Sequence, residues 1–296
     1  MNSGTEKVGG MRLLWMTDLH LDRAQDADRH KFLASLRSSH FDAAVITGDI
    51  SSARFLRWHL LDLGRACDPK PVYFVLGNHD FFGGSFAGVD ELVADICQRQ
   101  KNLRHLGSGE IIPLTETEAL IGHRGWADGL AGYGFQSRVR QKDFEVISDF
   151  RGESKKDRFC HLEALGAESG HYLRGVLPKA LENYHRVWIA THFPPYPDAA
   201  LFGGRRCGMQ FLPHFTNVGA GKAIYEVAKD FREKRVTVLC GHTHHASNLQ
   251  FSANISVLVG AARPSRLGVQ EVLNFKSETP GKAGGLKIGA AQSGLF

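Results

Sequence analysis

Seven side chains with metal-binding atoms stand just beyond five apolar runs of this 296-residue sequence. Asp18 and His20 follow 11–16, Asp49 follows 43–47, Asn78 follows 72–76, His192 follows 187–190, and His242 with His244 follow 236–240. They offer two carboxylates, one amide oxygen and four imidazoles, a mixed set suited to two transition ions that share a carboxylate. His79 is left over for another role. Asp18 and His20 are two apart, as are His242 and His244, so each pair can face one crevice beyond a strand end. No thiol belongs to the set, which argues against a structural zinc site. Singly, each residue has an ordinary explanation: Asp49 as a helix cap, Asn78 as a turn residue, His192 as a core histidine. Jointly they do not, because carboxylates buried beside imidazoles without a cation would leave costly unpaired groups.

The elements that must position these residues follow from the apolar pattern. Apolar run, polar turn and helical stretch succeed one another three times before residue 100, which predicts α/β layering with strands covered on both sides. Asp28 is a candidate cap for a helix carrying Phe32, Leu33 and Leu36. Further strands are expected at 103–106, 119–122, 255–259 and 268–275, and a helix from about 220 to 234. Residues 130–185 read as a helical insertion or cap, with Pro178 marking a boundary. We expect one domain over 1–276 and a flexible tail over 277–296, where Gly, Ala, Lys and Ser predominate.

Composition narrows the class. With 43% hydrophobic and 23% charged residues the chain is an ordinary globular one. It lacks the roughly 18 uninterrupted apolar residues of a membrane span and an apolar leader, so a cytoplasmic protein with no membrane partner is expected. Five cysteines without a close pair, Cys67, Cys97, Cys160, Cys207 and Cys240, favour a reducing compartment. Residues 1–150 carry a net charge of −3 (17 Lys and Arg, 20 Asp and Glu) and 151–296 carry +8 (19 and 11). The basic half suits phosphate-bearing partners, with nucleic acid possible but not favoured.

The motifs Asp18-Leu-His20, Gly48-Asp49, Gly77-Asn-His-Asp80, His192 and Gly241-His-Thr-His244 stand in the order that resembles the calcineurin-like metallophosphoesterases. The resemblance implies a two-sheet β-sandwich flanked by helices and a binuclear site. One ion would take Asp18, His20 and His244, the other Asn78, His192 and His242, with Asp49 bridging. His79 resembles the family's histidine that protonates the leaving group, and Asp80 would orient its ring. Mn, Fe or Zn would fit such a donor set. The expected reaction is attack of a metal-activated hydroxide on a small phosphodiester or phosphomonoester. The alternatives are a nuclease or nucleic-acid end processor, and a non-catalytic scaffold of the same fold. The stretch Gly48-Asp-Ile-Ser-Ser-Ala53 departs from the family's protein phosphatases, which show a further carboxylate and arginine there. Candidate substrate contacts are Arg124, Trp126, Phe193, Tyr196, Arg205 and His214, all near strand ends or in the Gly-rich loop.

Overall fold

The computed structural model describes residues 10–263 and 266–275. In chain order the first half runs β1 (Arg12–Met16), α1 (Asp26–Ser38), β2 (Ala43–Thr47), α2 (Ala53–Cys67), β3 (Val72–Val75), α3 (Phe86–Arg99), β4 (Leu103–His105), β5 (Ile112–Pro113) and β6 (Glu118–Gly122). Next come α4 (Asp143–Val146), α5 (Lys155–Asn183), β7 (Arg186–Ala190), the hairpin β8 (Leu201–Phe202) and β9 (Arg205–Arg206), α6 (Leu212–Phe215) and α7 (Val218–Ala228). β10 (Arg235–Cys240), β11 (Ser247–Ser252), β12 (Ile255–Val259) and β13 (Glu271–Asn274) close the fold.

One sheet has the order β13-β1-β2-β3-β4 and the other β11-β12-β10-β7-β6-β5. β1 to β4 are mutually parallel, as are β12, β10, β7 and β6, with antiparallel strands at three of the four edges. Strand alternation builds the layers. Leu13 and Trp15 of β1, Ala43 and Val45 of β2, and Tyr73 and Val75 of β3 meet Leu120, Trp188, Ala190 and Leu239 between the sheets. The alternate residues Leu14, Met16, Ala44, Ile46, Val72 and Phe74 face outward under α1, α2 and α3. β7, β10 and β12 turn Val187, Ile189, Val236, Val238, Ile255 and Val257 outward under α5 and α7. Burial on both faces is why these strands read as unbroken apolar runs. The two-sheet sandwich flanked by helices is the architecture expected.

Several boundaries differ. Pro178 lies inside the 29-residue α5 rather than at its end. Leu173, Val176, Leu177, Ala180 and Leu181 form one buried stripe through it, and that packing offsets the roughly 3 kcal/mol cost of an interior proline. The second half of the segment 130–185 is therefore a layer helix on the second sheet, and only its first part, with short turns and α4, reaches toward the strand ends. Asp28 sits in the first turn of α1, with Gln25 at the cap, where its charge still suits the helix dipole. β11 and the β8–β9 hairpin carry mixed polar sequences that gave no strand signal. The expected tail 277–296 lies outside the described residues. No helix among the described residues is long and apolar enough to cross a membrane.

Candidate metal centre

The C-terminal ends of β1, β2 and β3 from one sheet and of β7 and β10 from the other open onto one rim. There the chain turns sharply: Asp18, His20, Asp49, His242 and His244 have φ of 49°, 43°, 54°, 69° and 59°. No other non-glycine residue among those described has a positive φ. Such left-handed positions cost of order 1–3 kcal/mol each and concentrate where a site requires them. Gly77 and Gly241 let the turns close, since a Cβ at either would collide with a carboxylate oxygen, of Asp49 and Asp18 respectively.

All seven expected metal-binding residues converge there, in two groups that share Asp49. In the first, His244 Nε2 lies 3.2 Å from Asp18 Oδ1 and 3.2 Å from His20 Nε2, which is 3.7 Å from Asp49 Oδ2. Ligand atoms of these four residues lie within 4.8 Å of one another. In the second, Asn78 Oδ1 lies 3.2 Å from His192 Nε2 and 3.1 Å from His242 Nδ1, and His192 Nε2 is 3.3 Å from Asp49 Oδ1.

Hydrogen bonds on the far side of the second group decide which atoms point inward. His192 Nδ1–H donates to the Thr47 carbonyl (2.8 Å) and His242 Nε2–H to the His214 carbonyl (3.2 Å). The Asn78 amide nitrogen donates to Asp143 Oδ1 (3.0 Å), so its oxygen faces the site. With the neutral rings in these tautomers, lone pairs of two imidazoles, an amide and a carboxylate converge, an arrangement that a cation satisfies. In the absence of a cation a proton takes its place. Burial disfavours a proton on His192, yet the Asp49 carboxylate outweighs it and lifts the pKa to about 9. Burial likewise opposes ionisation of Asp18 and Asp49, but His244 beside the first and His192 beside the second hold both below the usual carboxylate range. The residues present therefore fit a pair of divalent ions.

Asp143 holds the Asn78 amide through Oδ1, and burial pushes its carboxyl up to about 6 against the opposing Asn78 hydrogen bond. Asp143→Ala frees the Asn78 amide to turn. We expect the ion at Asn78, His192 and His242 to bind roughly 10–100-fold more weakly, read by competition with a chelating dye, while the other ion is unaffected.

His79 projects at the mouth with its Nε2 3.9 Å from Asp49 Oδ2 and its side chain 19% exposed. Its ring stacks on Phe82 with centroids 4.1 Å apart. The role expected of Asp80 is not the one the structure gives it. Asp80 is wholly buried and accepts from the backbone N–H groups of Ile50, Ser51 and Gly77 at 2.9, 2.8 and 2.8 Å, which ties the β2 and β3 turns together. The partner of the ring is Arg23, whose Nη2 lies 2.8 Å from His79 Nδ1. A guanidinium can only donate, so Nδ1 accepts and the proton sits on Nε2, facing the site. Burial, reinforced by His20 and Arg23 and only partly offset by Asp49, lowers the His79 pKa to about 4.

The profile of the calcineurin-like phosphoesterases matches residues 11–246. The chain belongs to this family. A dimetal phosphatase from Danio rerio has a similar fold (TM-score 0.51, 14% identity, 86% of this chain and 88% of that chain covered). So has a protein from Thermus thermophilus (TM-score 0.53, 12% identity, 91% and 100% covered). No curated protein sequence matches the chain.

In this calcineurin-like phosphoesterase most of the expected substrate contacts serve packing instead. Arg124 binds Asp90 (3.0 Å) and Glu168 (3.6 Å) and lies over the rings of Phe81 and Phe86. Trp126 is buried among Phe81, Phe86 and Phe193 rather than available to stack on a substrate. Trp126→Ala should destabilise the fold by about 3–5 kcal/mol, seen as a lower urea midpoint. Tyr196 is buried, donates to the Gly221 carbonyl (3.0 Å) and stacks on Phe251. Phe193 backs the ligands, its ring 4.1 Å from that of His242. Arg205 stands exposed on β9.

His214 is buried and contributes through its backbone carbonyl, while its Nε2–H donates to Ser137 Oγ (3.2 Å). Burial, with Lys155 adding, lowers its pKa from 6.5 to about 4. The unfolded chain therefore takes up this proton first, and stability falls as pH drops from 6.5 toward 4. At 1.36 kcal/mol per unit the contribution is at most about 3 kcal/mol. His214→Gln should accordingly shrink the difference between urea midpoints at pH 7 and pH 4.5, both measured with chelator present.

Three parts of the site gave no signal in sequence. Arg23 lies in a polar loop, Asp143 is 65 residues from Asn78, and the Thr47 and His214 contributions are backbone carbonyls that side-chain identity does not encode.

Proposed function

We propose that the protein hydrolyses a small phosphate ester, diester or monoester, with His79 protonating the leaving group. The observation that carries this reading is the shared Asp49 between two converging acceptor groups, with the Nε2–H of His79 directed at the same point from the rim. A pair of divalent ions, for which Mn, Fe and Zn are the candidates, would supply Lewis-acid stabilisation of phosphoryl charge and a water of lowered pKa. Asp18, His20 and His244 would hold one ion, and Asn78, His192 and His242 the other. The protein's own part is to fix His192, His242 and Asn78 by the Thr47, His214 and Asp143 hydrogen bonds, and to hold the resting His79 proton on Nε2 through Arg23. His79 protonates the departing oxygen as the imidazolium, which takes up a proton from solvent on Nδ1 as Arg23 withdraws, so that loss of the Nε2 proton leaves a neutral ring and not an imidazolate.

The test is a turnover screen over bis-p-nitrophenyl phosphate, p-nitrophenyl phosphate, 2′,3′- and 3′,5′-cyclic nucleotides and short single-stranded DNA, each with Mn²⁺, Fe²⁺ and Zn²⁺ supplied. Metal-dependent cleavage of the small esters is the expected result. Cleavage confined to DNA, with a steep salt dependence, would replace this reading by a nuclease. No turnover of any ester in any metal would leave a scaffold.

A further inference from the structure

Twelve large apolar side chains stand exposed among the described residues, and six of them crowd onto two short segments beside the metal centre: Leu130, Tyr133, Phe135, Phe202, Met209 and Phe211, each 46–66% exposed. The segments are stitched together. Gly129 N–H donates to the Pro213 carbonyl (3.0 Å), Tyr133 N–H to the Met209 carbonyl (2.9 Å) and Ser137 Oγ to the Gln210 carbonyl (2.6 Å). Cys207 N–H closes the β8–β9 hairpin onto Ala200 (2.9 Å), and Ala131, Ala200, Cys207 and Leu212 form a small core beneath. A fixed backbone therefore holds these side chains outward. An apolar patch on such a frame marks an interaction surface.

Charge says which kind. Residues 129–142 and 201–216 contain Arg138, Arg140, Lys142, Arg205 and Arg206 and no acidic residue. Arg206 is paired with Asp198 at 3.1 Å, while the Lys155 ammonium lies over Phe135. Cations interleaved with protruding aliphatic and aromatic side chains match an anionic lipid surface, whose headgroups and acyl chains lie one above the other. Leu130 and Met209 have no ring face to offer a nucleic-acid base, which favours lipid over single-stranded DNA.

The patch is continuous with the site. The His214 carbonyl and the Phe215 ring (4.9 Å) both touch His242, and Phe202 lies 5.2 Å from His245. We propose that this face docks on anionic membranes and presents the metal centre to the lipid–water interface. The lack of a membrane-spanning run, which argued against a membrane partner, does not bear on peripheral docking of this kind.

The full chain should sediment with vesicles of phosphatidylcholine in which a third of the lipid is phosphatidylglycerol, and not with phosphatidylcholine alone. Replacing both Phe135 and Phe211 by Ser should weaken binding at least tenfold, and Arg138→Ser or Arg140→Ser about fivefold each. Metal content, the thermal transition and turnover of a soluble p-nitrophenyl ester should stay as in the parent. Binding is read without catalysis, so failure of the phosphoesterase reading would leave this result intact. Absence of vesicle binding, or binding unchanged in all the variants, overturns the proposal. So does preferential binding of short single-stranded DNA, or a concentration-dependent dimer that the Phe substitutions abolish.

Discussion

Asp49→Ala is expected to lose turnover by more than the roughly 10²–10³-fold that accompanies one lost electrostatic contact, and to retain fewer than two metal ions per chain. Among the described residues Asp49 is the one side chain that reaches both acceptor groups, and its Oδ1 also takes the backbone N–H of His79 at 2.9 Å. Removing it leaves His192 without the carboxylate that outweighs its burial. Asp49→Asn separates these effects. It keeps an oxygen for the His79 amide, and asparagine tolerates the left-handed backbone at this position, but it removes the shared charge. Elemental analysis and turnover in defined Mn²⁺ should therefore rank Asn close to Ala. Full metal content and near-parental turnover in Asp49→Asn would show that the carboxylate is not the bridge.

His79→Ala should keep both ions and lose roughly 10²–10⁴-fold in rate on an alkyl phosphate ester. On a p-nitrophenyl ester the loss should be small, because that leaving group departs without a proton. The contrast between leaving groups is the diagnostic, and Arg23→Met should show the same contrast at reduced size. With the guanidinium gone the ring can carry its proton on Nδ1, the nitrogen turned away from Asp49. Metal loss in His79→Ala, or equal losses on both esters, would make the ring a ligand or a support and remove it from the proton transfer.

The residues of the candidate metal centre were legible because two constraints coincide at each. Strands buried on both faces appear in sequence as unbroken apolar runs, and a polar residue ending such a run must find a partner. Repeated five times on parallel strands, that pattern has one geometric solution, a common rim. The surroundings were less legible because adjacency in sequence does not fix where a side chain turns. Asp80 follows His79, yet its carboxylate folds back onto three backbone amides, and the ring is held by Arg23 from another loop. Arg124, Trp126 and Tyr196 sit close to strand ends as expected, but each finds more burial or better ion pairs away from the crevice. Pro178 was misleading for a related reason, since the buried stripe of α5 runs on past it.

The centre draws Asp18, His20, Asp49 and Asn78 from the sheet built on β1, β2 and β3, and His192, His242 and His244 from the sheet built on β7 and β10. Ions held there would act as a clasp between two halves, neither of which owns a complete set of donors. A chain in which only one half has assembled has nowhere to seat them, so metal uptake during refolding reports the moment the two layers dock rather than the formation of either. Once seated, the same clasp would resist sliding of one layer over the other, and stripping the ions should ease that motion before it unfolds any strand.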